Sequence, residues 1–163
     1  MTGLIRRYTF LVALAVVIGG TPTVSSADNR VNTGYFGDVA IEGYDTVAYF
    51  TEGRAVKGSP EFEKEFLGEK WHFASRTNLE RFSADPVAFA PQYGGYCAGE
   101  VPYAHVSTGV TSNIDPTAWR IIDGKLYLFF SEAVAAEFEE AGPEAIDAAN
   151  QQWPTVAERL ENQ

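Results

Sequence analysis

The sequence predicts an α+β domain in which small antiparallel β-hairpins pack with several short helices. Two observations point there. Twice, at Glu61–Ser75 and at Ala118–Phe130, apolar and polar residues alternate on both sides of a glycine-containing turn. Elsewhere, short segments opened by serine, aspartate or proline carry apolar residues at helical spacing.

The order along the chain supports this. Met1–Ala27 reads as a secretory leader: Arg6 and Arg7 come first, Phe10–Ile18 is apolar, and the small residues Ser25 and Ala27 precede a cleavage point. The apolar run falls short of the ~20 residues that a membrane span needs. The expectation is a periplasmic or secreted chain with no membrane span after cleavage. Residues 28–38 are polar and glycine-containing and read as a flexible start. Residues 39–163 then form a single domain. Asp45 can cap a helical turn carrying Val47, Ala48, Tyr49 and Phe50. The turn-rich stretch Thr51–Glu61 follows.

In the first hairpin, Phe62, Lys64 and Phe66 alternate with Glu61, Glu63 and Glu65. Gly68 and Glu69 turn the chain, and Trp71 and Phe73 alternate with Lys70 and His72. Ser59-Pro60-Glu61 also resembles a helix start, but the aromatic content and Gly68 favour the hairpin. Ser75 caps a helix with Leu79 and Phe82 on one face, and Asp85-Pro86 ends it and starts a short second turn. A long polar loop covers Val106–Pro116. Asp123-Gly124 is the type I′ signal of the second hairpin. Ser131 caps a helix carrying Val134, Ala135 and Phe138, which Gly142 stops. Pro143 starts a helix through about Trp153, and Pro154 a last short one.

Composition narrows the function. The formal charge of −10 disfavours nucleic acid and anionic membrane surfaces as partners. Aromatic residues at 13% and three tryptophans suffice for one core. The single cysteine cannot form an internal disulfide, and the only methionine lies in the leader. Glycine-rich phosphate loops, nucleophile elbows, Cys-x-x-Cys pairs and His-Glu-x-x-His are all absent, so no organic cofactor is implied and catalysis has no evident motif.

That leaves Cys97 in "PQYGGYCAGE". A helical turn beginning after Gly94 and Gly95 would place Cys97 at its start, where backbone N–H groups favour a thiolate. Such a sulfur suits a nucleophile or a soft-metal ligand. Equally, cysteine is often a small buried hydrophobe, here beside Tyr93 and Tyr96. His105 lies eight residues on, and thiolate with imidazole suits copper(I) or zinc. His72 is the other histidine, on the hairpin face opposite Trp71 and Phe73. Glu100 would share a helical face with Cys97.

Several strings together, "GYDTVAYF", "KGSPEF", "WHFASRTNLERFSADPVAFAPQYGGYCA", "DPTAWRIIDGKLYLFF" and "NQQWP", resemble the exported YHS-domain proteins over about Val39–Trp153. The resemblance implies a small metal-associated module. It also implies that Cys97 occupies a position where some members of the group carry selenocysteine. The metal-associated form of the domain has two cysteines where this chain has Ala74 and Asn78, which removes both of those thiols. Three readings follow. In the first, an exported module binds a soft metal, copper before zinc, through Cys97 with His105 or His72; zinc would recruit Glu100 as well. In the second, Cys97 is a redox thiol that works with a small thiol or an exported protein partner. In the third, the chain is a structural or interaction module.

Overall fold

Two antiparallel hairpins, each followed by a helix packed on its own face, organise the chain. The structure is a computed structural model and describes residues 31–34, 37, 39–103 and 113–161. The expected leader and His105 lie outside the described residues. Helix α1, Thr46–Glu52, starts at Asp45, whose carboxylate accepts the N–H groups of Val47 and Ala48. Strands β1, Ser59–Phe66, and β2, Glu69–Phe73, pair antiparallel. Their turn is Leu67-Gly68, with φ of 53° and 80°, one residue earlier than the Gly68-Glu69 expected from the sequence, because Glu69 already pairs with Phe66. Helix α2, Arg76–Ala84, is capped by Ser75, and α3, Pro86–Phe89, by Asp85.

Strands β3, Asp115–Ile122, and β4, Lys125–Phe129, form the second hairpin. Asp123 and Gly124 both take positive φ, as a type I′ turn requires. Helix α4, Glu132–Ala141, is capped by Ser131, and Gly142 donates back to Phe138 and Glu139 to end it. The fold class is therefore α+β, with two separate two-stranded sheets among the described residues.

One boundary is corrected. Helix α5 runs unbroken from Pro143 to Glu161, through Pro154, rather than as two helices. Proline there forfeits the bond to the Asn150 carbonyl. The helix continues because Trp153, Val156, Ala157 and Leu160 all bury on one side of it. Within the leading segment, the described residues Val31 and Asn32 are less loose than its composition implies. Val31 and Asn32 are buried, and Asn32 exchanges hydrogen bonds with Gly94, Gly95 and Ile41.

The core has two aromatic halves. Phe82 of α2 meets Trp71 and Phe73 at ring distances of 5.2 and 4.9 Å. Phe138 of α4 meets Phe129 and Tyr127 at 5.3 and 5.8 Å. No helix among the described residues is long and apolar enough to cross a membrane.

Candidate functional site

Cys97 lies where the two halves meet. It follows the short helical turn Gln92–Gly95, in which Tyr93, Gly94 and Gly95 all take positive φ. A side chain at Gly95 would collide with Ile41, so glycine is required there by both conformation and space. Cys97 itself is extended and bridges Leu128 of β4, and Ala98 donates to the Leu128 carbonyl at 2.9 Å. The expected helix start is therefore corrected: Cys97 is held as an edge partner of β4, and the next helical turn, Val101–Tyr103, begins four residues later. The shared helical face with Glu100 falls with it, since Glu100 sits in a tight turn, donating to the Cys97 carbonyl at 3.1 Å.

The sulfur is fully buried and reduced. Burial pushes the thiol above its ordinary range, and the Glu100 carboxylate adds to this; the N–H groups of Phe130, Glu100 and Gly99 work in the opposite direction. The Phe130 N–H donates to Sγ at 3.2 Å. A neutral thiol is a weak acceptor, so backbone N–H groups gathered on one sulfur favour the anion or a metal-bound thiolate. Closed packing favours the protonated form, and here burial is the larger effect.

The other candidates are distributed around this point. Tyr93 is buried, with ring distances of 5.9 Å to Tyr127 and 5.7 Å to Trp153, and its Oη donates to Asn150 Oδ1 at 3.0 Å. Burial pushes its phenol well up. Tyr96 is half-buried and also turns toward Trp153. His72 sits on the other hairpin, paired across strands with Glu63, its Nε2 3.1 Å from the carboxylate. Among the described residues, no group of three or more histidine, cysteine or acidic side chains could hold a metal ion. A four-ligand zinc site therefore does not fit them. A two-coordinate copper(I) ion asks for only one more ligand than Cys97 provides.

Sequence reasoning treated Asp45 mainly as a helix cap, and the structure gives it a larger part. Its carboxylate is fully buried. Oδ1 accepts from Val47 and Ala48 at 2.9 and 3.2 Å; Oδ2 accepts from the Ala74 N–H at 2.8 Å and from Asn78 Nδ2 at 2.7 Å. One side chain thus ties α1 to the end of β2 and to α2. Ala74 and Asn78, where the metal-associated form carries its thiols, are here partners of this carboxylate. The only sequence signal for this was an aspartate at an N-cap.

Comparison with curated proteins and with solved structures returns no match. Residues 47–93 match the family model of the YHS domain. The matched stretch begins two residues after Asp45, takes in the first hairpin, α2 and α3, and ends four residues before Cys97. Over this stretch, less than a third of the chain, the sequence is similar to the YHS domain.

Proposed function

We propose that this chain is an exported YHS-domain module that binds one soft metal ion, copper(I) in preference to zinc, at the sulfur of Cys97. The observation that carries this is the N–H donation from Phe130 to Sγ, with the Gly99 and Glu100 N–H groups acting in the same direction. Backbone donors of this kind favour an anionic sulfur, the form that ligates a soft ion. His105 is the second ligand suggested by the sequence. His72 is the weaker choice, because it is engaged with Glu63 on the other hairpin. The chain would act as a carrier or sensor rather than as a catalyst, since no acid–base or nucleophile motif accompanies the sulfur. When bound, the ion would supply only its soft-ligand affinity. The chain's own part is to hold the sulfur and exclude water from it.

Competitive copper(I) titration under reducing conditions tests this with wild type, Cys97→Ser and His105→Ala. Wild type is expected to bind one equivalent, and Cys97→Ser to lose more than about tenfold in affinity, or ~1.4 kcal/mol. Equal, weak binding by wild type and Cys97→Ser overturns the proposal.

The complete burial of Cys97 favours a second reading, in which the sulfur is a sealed packing group and the chain an interaction module. That reading expects native Cys97 to resist alkylation and Cys97→Ala to lose stability without losing any ligand. A redox role is the least favoured of the three, because a buried thiol with an upshifted pKa and no resolving cysteine reacts slowly.

A further inference from the structure

Where the turn of the second hairpin meets the corner between α4 and α5, a cleft of about 480 Å³ lies at the surface. Ile121, Ile122, Pro143 and Ile146 form its apolar wall, and Asp123, Glu139 and Asp147 line the rest with carboxylates. These side chains are accessible. Ile121 is 37% exposed, Pro143 and the three carboxylates are exposed, and Ile122 and Ile146 are half-buried. Aliphatic groups gathered at a surface hold apolar area in water that a docked partner would remove.

The charges restrict what that partner is. No basic side chain lines the cleft. Arg120, from outside it, holds Glu139 at 2.7 Å and also binds Glu132. Asp123 and Asp147 form no ion pair among the described residues. A neutral or acidic partner would strip water from these carboxylates without replacing it, whereas a basic one compensates them. The surrounding field has the same sign. Residues 115–163 carry ten acidic and three basic side chains, against ten and six over 39–103. A second copy of this chain would bring like charges together here, and nucleic acid or anionic lipid would be repelled.

We propose that this cleft docks a basic amphipathic segment of a partner protein, in which lysine or arginine alternates with aliphatic residues at helical spacing. Its aliphatic anchors rest on Ile121, Ile122 and Ile146, as an amphipathic helix rests in an apolar groove. Its basic side chains lay their stems along the same surface and bring their charged ends to Asp123 and Asp147. The surface lies outside the stretch similar to the YHS domain and depends on neither Cys97 nor a metal.

The probe is a short fluorescein-labelled helical peptide of leucine and lysine, titrated into the full chain and followed by anisotropy. Saturable binding is expected, weaker at high salt, which screens the carboxylates. The same peptide with serine for leucine keeps the charge and should bind more than about tenfold more weakly. Ile121→Lys should also weaken binding more than about tenfold. Ile121→Thr, which keeps β-branching at an exposed strand position, should weaken it by a smaller factor and decides the matter if Ile121→Lys does not fold. Asp123→Asn combined with Asp147→Asn should cost about two- to twentyfold, the worth of two exposed ion pairs, and asparagine suits the turn at 123. Glu61→Gln combined with Glu65→Gln removes the same charge from exposed positions on β1 and should change affinity less than about twofold. The proposal is overturned if binding does not saturate, if the serine peptide binds equally, or if the β1 variant loses as much as the cleft variant. Wild-type affinity in folded Ile121→Thr overturns it too. So does a concentration-dependent dimer that Ile121→Lys abolishes, which would assign the cleft to a second copy of the chain.

Discussion

Asp45 and Cys97 are both fully buried, both receive backbone N–H donors, and both lie at the edges of the YHS-matched stretch. They differ in where the donors come from. The partners of Asp45 belong to α1, to the residue after β2 and to α2, so its carboxylate links three separate elements. The donors around Cys97 belong to its own turn and to Phe130, just past β4. A hard oxygen acceptor joining distant elements is a structural fastener. A soft sulfur held by its own turn and one adjacent strand can leave or gain a ligand without dismantling the fold. The comparison therefore separates the residue expected to carry stability from the one expected to carry chemistry.

The largest effect should fall on Asp45. Asp45→Ala strands two backbone donors at α1, the Ala74 N–H and the Asn78 amide, each costing about 1–3 kcal/mol if left unpaired. The sum is of the order of the stability of a whole domain, so Asp45→Ala should fail to fold or show a sharply lowered urea midpoint. Asp45→Asn keeps one acceptor oxygen and should fold with an intermediate midpoint. A wild-type midpoint for Asp45→Ala would break the contrast with Cys97.

Cys97→Ala should cost less, roughly 0.5–3 kcal/mol for a small buried group. It should also abolish copper(I) binding, which Asp45→Asn should leave unchanged. Loss of copper binding in both variants would show that Asp45 acts on the ligand site as well as on stability.

These two sites also show how much was legible beforehand. The hairpins were readable because a period of two and a glycine turn are local signals, and Asp123-Gly124 adopts the conformation its residues require. The capped helices were readable because Ser75, Asp85 and Ser131 lie next to the N–H groups they satisfy. The continuity of α5 was not. Proline normally ends a helix, and the apolar contacts that override it come from elsewhere in the chain. The setting of Cys97 was misread for the same reason: a bridge to Leu128, thirty-one residues away, outweighs the local tendency to begin a turn. The full role of Asp45 needed Asn78, whose approach depends on how α2 packs. Local rules found the elements and the candidate sulfur, while tertiary contacts decided what surrounds it.

A pH series should sharpen the reading of Cys97. Its folded pKa lies above the unfolded value, so the folded state keeps its proton after the unfolded state has lost it. The associated stability is complete below the unfolded thiol value of about 8.5 and falls as pH rises beyond it. Wild type should therefore lose stability relative to Cys97→Ala on the alkaline side. Copper(I) affinity should climb over the same window, because binding displaces the thiol proton. A flat difference between the two proteins across this window would mean that the sulfur ionises as freely when folded as when unfolded.

The smallest effect is expected at His72, where a null result is informative. The ring pairs with Glu63, whose side chain is 39% exposed, so the interaction is screened and worth at most about 1 kcal/mol. His72→Ala should shift the urea midpoint only slightly and leave copper(I) stoichiometry and affinity as in wild type. If His72→Ala instead matched Cys97→Ser in the copper titration, the two hairpins would share one metal site. The division between a structural half centred on Asp45 and a chemical half centred on Cys97 would then fail.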